Sequence, residues 1–97
     1  MNILITAATS AKAHWLKKHL RADNIILGDY QDLPAFMQIV KLPNPTSLSY
    51  AHEMLTLCLD KGVEVVYALH EEEQKPLSEA KQLFAEYGIV IYGNEPK

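Results

Sequence analysis

Short apolar runs alternate with amphipathic stretches along this chain, a pattern that is typical of α/β domains. The first run, residues 2–6, contains several β-branched residues and passes through small residues into a helical pattern over residues 11–20. A strand that leads through a tight turn into a helix is the usual opening of a nucleotide-type α/β domain. We therefore expect the first strand to lie mid-sheet, with later strands on both sides.

The first helical pattern has one apolar stripe, formed by Ala13, Leu16 and Leu20 at spacings of three and four. Thr9 or Ser10 is placed to cap the first turn by accepting a backbone N–H. Trp15 lies beside the stripe, so we expect its side chain to be half-buried at the edge of the helix.

Four further apolar runs predict the remaining strands, over residues 25–27, 37–42, 63–69 and 89–92. The run over 63–69 is nearly continuous, as expected for a strand that is covered on both faces. Lys41 and the prolines that follow it favour an edge position for the third strand.

Two more amphipathic stretches predict the later helices. The first begins at Thr46 or Ser47, and the second has Pro76 in its first turn and ends at Gly88. The predicted inward stripes are Leu48, Ala51, Leu55, Cys58 and Leu59 in one helix, and Leu77, Ala80, Leu83, Phe84 and Tyr87 in the other.

Strands that alternate with helices indicate a parallel sheet with right-handed crossovers. We predict one domain over residues 1–97, with a three-layer Rossmann-like α/β fold. Its mainly parallel five-stranded sheet has the order 3-2-1-4-5. In such sheets ligands bind beyond the carboxyl ends of the strands, where the winding direction reverses. Here that crevice lies between residues 7–10 and residues 69–71.

The composition is that of an ordinary globular protein, with 97 residues, 48% hydrophobic and 22% charged. A net charge of −3 gives no electrostatic reason to bind nucleic acid or an anionic membrane. No apolar run approaches the roughly 20 residues of a membrane span, and we expect a cytoplasmic protein. The single cysteine, Cys58, is predicted to be a buried and unreactive thiol.

The first turn argues against dinucleotide binding. Pyrophosphate binding requires glycines in this turn, and residues 7–12 contain none. Asp29 lies where a ribose-binding carboxylate would be found, but acids after a second strand are common. A phosphoacceptor site would need acidic residues after the first strand, where Ala7 and Ala8 stand instead.

Other candidate groups have a plain structural alternative. His70 is the best-placed histidine for a role in the crevice, yet it is also explained as a solvent-facing loop residue. Glu71, Glu72 and Glu73 offer Mg²⁺ ligands, but a helix N-terminus favours acidic residues for electrostatic reasons. We predict no catalytic residue and no metal site. The candidate ligand-crevice residues are Ala8, Thr9, Ser10, Asp29, His70 and Glu71.

Four passages have the order and spacing of a known family. They are residues 2–8, the Gly28-Asp29 end of the second strand, residues 40–50 with Leu42-Pro43 and Tyr50, and residues 61–91. Together they resemble the N-terminal pre-ATP-grasp domain of carbamoyl-phosphate-synthase-like ATP-grasp enzymes. The family usually has a glycine in the first turn, and an aspartate where this chain has His70.

The resemblance implies a domain without activity of its own in an ATP-dependent carboxylate–amine ligase. ATP and Mg²⁺ would be bound by a following ATP-grasp domain, against which this domain packs, and a homodimer contact is a further expectation. Such docking predicts an exposed apolar patch, with Tyr67, Tyr92 and the loop around Met37 as candidates. The alternatives are one half of an NAD(P)-dependent enzyme, or a stand-alone module that binds a small molecule or oligomerises.

Overall fold

A computed structural model describes residues 2–20, 24–31 and 39–92. This part of the chain forms five strands and four helices, in the order that the sequence predicts except that the last helix is divided. The elements are β1 (Asn2–Ile5), α1 (Ala11–His19), β2 (Asn24–Asp29), β3 (Val40–Lys41), α2 (Tyr50–Asp60), β4 (Val65–Tyr67), α3 (Glu71–Glu79), α4 (Lys81–Glu86) and β5 (Val90–Tyr92).

The five strands form one sheet in the order β3-β2-β1-β4-β5, and every pair is parallel. The predicted order and the Rossmann-like fold are confirmed. Ile5 of β1 is in register with Leu27 of β2 on one side and with Tyr67 of β4 on the other. Only Val40 and Lys41 of the predicted third strand pair with β2, and residues 37–38 lie outside the described residues.

Helices lie on both faces of the sheet. On one face, Ile3 and Ile5 cluster with Ala13 and Leu16 of α1 and with Leu20, its C-cap. On the other face, a larger cluster joins the sheet to α2, α3 and α4. Its largest fully buried apolar side chains include Leu4, Tyr50, Met54, Leu77 and Phe84. In the described part of the chain, no helix is long and apolar enough to cross a membrane.

The N-cap of α1 and the partial burial of Trp15 follow the prediction. Ser10 is the N-cap, and its hydroxyl accepts a hydrogen bond of 3.1 Å from the backbone N–H of Ala13. The side chain of Trp15 is 57% exposed, which is close to the half-buried position expected for it. The indole stacks on the imidazole of His19 one turn later, with ring centroids 4.1 Å apart.

The predicted start of α2 and part of its apolar stripe are wrong. The helix begins at Tyr50, because an Asx-type turn occupies the preceding residues, where the Asn44 carboxamide accepts from the backbone N–H of Thr46 at 2.9 Å. Leu48 lies in this connection and is fully exposed, and Leu59 is about half exposed. The buried face of the helix is formed by Tyr50, Met54, Leu55 and Cys58.

The third predicted helix is two helices that meet at Ala80. Pro76 is the sixth residue of α3 rather than part of its first turn, and the C-cap of the helix, Ala80, follows four residues later. Leu77 and Phe84 are buried as predicted, whereas Tyr87 is about half exposed. Gly88 ends α4 with φ +77°, a left-handed conformation that favours glycine.

Part of the sheet face that carries α1 is open to solvent. Val65 and Tyr67 of β4 point to this face and pair in register with Val90 and Tyr92 of β5. The two β4 side chains are partly buried, and the two β5 side chains are 45% and 44% exposed. The Tyr67 and Tyr92 rings stack with centroids 5.1 Å apart. We call these four residues the β4–β5 patch.

Candidate functional site

The carboxyl ends of β1, β2 and β4 meet at one edge of the sheet, where the crevice is predicted. The backbone N–H of Ala8, just after β1, donates to the carbonyl of Gly28 in β2 at 3.2 Å. On the other side, the hydroxyl of Thr6 accepts from the backbone N–H of Leu69 at 2.8 Å. These two bonds tie the first turn to the ends of both neighbouring strands.

The first turn is closed tightly without glycine. Ala7 has φ +51°, the left-handed conformation in which a glycine is usual, and its carbonyl accepts from the N–H of Ser10 at 2.9 Å. Ala8 is fully buried, Ser10 is occupied in capping α1, and Thr9 is exposed. Of the three predicted turn residues, only Thr9 therefore presents an exposed side chain to solvent.

The structure brings together two of the candidate crevice residues, Asp29 and His70. The His70 Nε2 atom lies 3.3 Å from Asp29 Oδ1, which also accepts from the backbone N–H of Gln31 at 3.1 Å. Asp29 is 1% exposed. Its Oδ2 atom is buried and has no hydrogen-bond partner among the described residues.

His70 joins the strand end to the next helix. It is the N-cap residue of α3, and its side chain is 19% exposed. The imidazole also packs on the ring of Tyr30, with centroids 4.8 Å apart, so it is not a free loop residue. Glu71, the remaining predicted residue, is exposed on the first turn of α3.

Glu73 is the site residue that sequence reasoning missed. Its side chain is 0% exposed, whereas the sequence explains the run Glu71-Glu72-Glu73 by the preference of a helix N-terminus for acidic residues. Neither carboxylate oxygen has a hydrogen-bond partner within the described part of the chain. Its spacing was the available signal, because Glu73 lies four residues before Leu77 on the inward face of α3.

Burial raises the pKa of Glu73 above the ordinary value for a glutamic acid. The nearby hydroxyls of Thr6 and Tyr50, together with His70, act in the opposite direction and offset only part of this effect. Burial and the neighbouring Glu73 also raise the pKa of the Tyr50 phenol, whose oxygen is buried and lacks a hydrogen-bond partner among the described residues. Tyr50 therefore remains protonated at neutral pH.

The site is a buried polar centre beneath the crevice, formed by Thr6, Asp29, Tyr50, His70 and Glu73. Its carboxylates are enclosed, and within the described residues no group of three or more His, Cys, Asp or Glu side chains has the arrangement of a metal site. The centre connects β1, β2, α2 and α3. Its hydrogen bonds join the end of β2 to the start of α3, through Asp29 and His70, and the end of β1 to the residues after β4, through Thr6 and Leu69.

A scan against protein-family models gives no match for this chain, and a search of curated proteins also gives none. The functional proposal therefore rests on the sequence resemblance, the fold, the polar centre and the β4–β5 patch.

Proposed function

We propose that this chain is a non-catalytic N-terminal domain of the pre-ATP-grasp type in an ATP-dependent carboxylate–amine ligase. In this role it packs against the ATP-grasp domain and helps to shape the substrate side. ATP and Mg²⁺ are then bound by that following domain. The sequence passages that resemble the family support the proposal, and they fall on the elements of a sheet with the order 3-2-1-4-5.

The β4–β5 patch is the observation that carries the proposal. Its four apolar side chains are neighbours in the sheet, and the two on β5 are almost half exposed. Contiguous apolar surface of this kind marks an interaction site, whereas scattered apolar residues do not. The sequence analysis names Tyr67, Tyr92 and the loop around Met37 as candidates for the docking surface. The β4–β5 patch contains both of these tyrosines. Met37 itself lies outside the described residues.

The polar centre is consistent with a scaffolding role. Asp29 is held by His70 and by the backbone of Gln31, and Glu73 is enclosed beneath α3. The contact between Asp29 and His70 joins the end of β2 to the start of α3 at the crevice edge. Such an edge can position a neighbouring domain without taking part in the reaction.

The first test is the coding sequence on the 3′ side of the Lys97 codon, followed by an ATPase assay of the whole encoded protein. We expect about two hundred or more further residues, with lysines on strands and late paired carboxylates. We also expect substrate-dependent phosphate release from ATP by the whole protein, and no such release by the 97-residue chain alone. A stop codon directly after Lys97 would contradict the proposal for this chain.

The dinucleotide-binding alternative has a separate test. Saturable micromolar binding of NAD(H) or NADP(H) to the 97-residue chain, measured by calorimetry, would favour it over the ligase proposal. The glycine-free turn with a fully buried Ala8 predicts no such binding.

A further inference from the structure

We propose that residues 70–75, the N-cap and the first five residues of α3, form a pH-sensitive flap at the crevice. The flap is closed while Glu73 is protonated and opens when Glu73 loses its proton. We call this segment the α3 flap. This inference does not depend on the proposed function.

Glu73 is the inward anchor of the α3 flap. Among residues 71–75 it has the only buried side chain, and the next buried residue of α3 is Leu77. A helix is normally held against a core by a stripe of apolar side chains. Here one of the two buried side chains is a carboxylic acid, so the attachment of the flap depends on a group whose charge changes with pH.

The α3 flap lies between two fixed points and next to a weak point of the helix. Before the flap, the backbone N–H of Leu69 donates to the Thr6 hydroxyl at 2.8 Å, and after it Leu77 is buried in the larger core cluster. Between the flap and Leu77 lies Pro76, which has no N–H to donate to the carbonyl of Glu72 four residues earlier. The first turn is therefore joined less firmly to the rest of α3 than in an uninterrupted helix, and Pro76 serves as a hinge.

The groups that face Glu73 do not fully compensate a negative charge. Thr6 at the end of β1 and Tyr50 of α2 contribute hydroxyls, and His70 contributes an imidazole that carries positive charge only when it is protonated. The same imidazole lies 3.3 Å from the Asp29 carboxylate of β2, which competes for that charge. Burial raises the pKa of Glu73 in spite of these groups. Loss of the proton therefore leaves a buried charge that the closed flap does not neutralise.

Opening the α3 flap hydrates this charge and also changes the crevice. In the closed flap, His70 contacts Asp29 and packs on the ring of Tyr30, and the side-chain amide of Gln74 donates to the carbonyl of Ala68. An open flap withdraws His70 from the Asp29 carboxylate, which is 1% exposed when the flap is closed. The flap thus controls whether the acidic residue at the crevice edge is accessible.

Native-state hydrogen exchange measured by NMR tests whether the flap opens separately from the rest of the fold. At pH 8 we expect the amides of Gln74 and Lys75 to have protection factors at least tenfold lower than those of Thr6 and Ala68, whose N–H groups donate to neighbouring strands. Urea below the unfolding transition should lower the protection of these two sheet amides and hardly change that of the flap amides, because local opening exposes little surface. Equal protection and equal urea dependence would overturn the proposal, because the flap would then open only when the whole chain unfolds.

Three variants identify the group that controls the flap. In the wild type, the protection factors of the flap amides should rise at least tenfold when the pH is lowered from 8 to 4.5. Glu73→Gln is uncharged throughout this range and should abolish the rise. His70→Asn, which keeps a residue suited to an N-cap but cannot titrate, should retain it. Glu71→Gln, at an exposed position on the same turn, is the control and should behave as the wild type.

A fourth variant, Pro76→Ala, tests the hinge. Its new N–H can donate to the Glu72 carbonyl, so the protection of the flap amides at pH 8 should rise at least threefold, and an unchanged value would overturn the assigned hinge. A pH dependence that persists in Glu73→Gln, or that His70→Asn abolishes, would assign the switch to another group and overturn the proposal. If Glu73→Gln does not fold, the urea and pH dependence of the wild type and of His70→Asn still decides.

Discussion

The carboxylate of Glu73 must leave water when the chain folds, and the structure compensates it only in part. Its two oxygens are buried without a hydrogen-bond partner among the described residues, although the Thr6 and Tyr50 hydroxyls lie near enough to lower its pKa somewhat. Burial nevertheless raises the pKa overall, so the folded state favours the protonated acid. Asp29 differs, because His70 and the backbone of Gln31 contact its carboxylate directly.

The raised pKa of Glu73 predicts a loss of stability as the pH rises. The unfolded chain releases the Glu73 proton near pH 4.5, whereas the folded chain releases it only at a higher pH. Between these two values the folded state binds more protons, so the free energy of unfolding falls with increasing pH. Glu73→Gln removes this dependence, and we expect it to be more stable than the wild type at pH 8 but not at pH 4.

Urea unfolding between pH 4 and pH 8 measures this difference. Glu71→Gln is the control, because Glu71 is exposed on the same helical turn. If Glu73→Gln and Glu71→Gln change the pH dependence equally, the assigned role of the buried carboxylate is wrong.

Residue positions at strand ends were predictable, and the burial of single polar residues was not. Asp29 ends β2 and His70 lies shortly after β4, the two strands that flank β1, so the topology places both at the predicted crevice, and the structure shows that they also contact each other. Glu73 belongs to a run of three glutamates, and the electrostatic preference of a helix N-terminus explains such a run without burial. The spacing of four residues from Glu73 to Leu77 is the one sequence signal that separates Glu73 from its two neighbours, and its burial follows from the packing of α3 against the sheet.

At the level of elements, the start of α2 shows where a periodic pattern fails. Leu48 has the correct spacing to continue the apolar stripe, but the Asn44 turn directs the chain so that the helix begins two residues later, at Tyr50. The helix consequently buries Tyr50 and Met54 rather than Leu48. Periodicity does not record a local side-chain hydrogen bond that competes with the first helical turn.

The buried face of α2 predicts very different losses of stability for two similar truncations to alanine. Met54 is fully buried, so Met54→Ala should destabilise the fold by about 2–5 kcal/mol through lost contacts and a cavity. Leu48 is fully exposed, so Leu48→Ala should change stability by less than about 0.5 kcal/mol. The urea midpoints of the two variants measure this difference. A larger loss of stability in Leu48→Ala than in Met54→Ala would contradict this buried face and favour the apolar stripe through Leu48 that the sequence predicts.

At the level of the whole molecule, the fold was predictable because several independent signals agree. The β-branched opening strand, the continuous run before His70 and the glycine helix ends all favour one parallel topology, and the observed sheet has it. The sequence could not specify which face remains open. That depends on α1 packing over β1 while β4 and β5 extend past it.

The core of the molecule also protects its only thiol. Cys58 is 0% exposed, and burial raises its pKa from 9.0 to about 12. At pH 8 the folded protein therefore has about a thousandfold less thiolate than the unfolded chain, and a disulfide reagent should label it at least about a thousandfold more slowly. Met54→Ala, on the same buried face, should accelerate labelling because it lowers the cost of opening. Equal labelling rates with and without 8 M urea would contradict this expectation.

The central position of β1 has a consequence for synthesis. Ile5 pairs with Leu27 on one side, but its partner on the other side is Tyr67, 62 residues later by sequence number. At a translation rate of about 5–20 residues per second, these 62 residues take about 3 to 12 s. In the later part of that interval, once Asp29 has been added, the nascent β1–α1–β2 unit has one apolar strand edge without its final neighbour. The ribosome-bound chain is thus open to chaperone binding or to mispairing until β4 emerges.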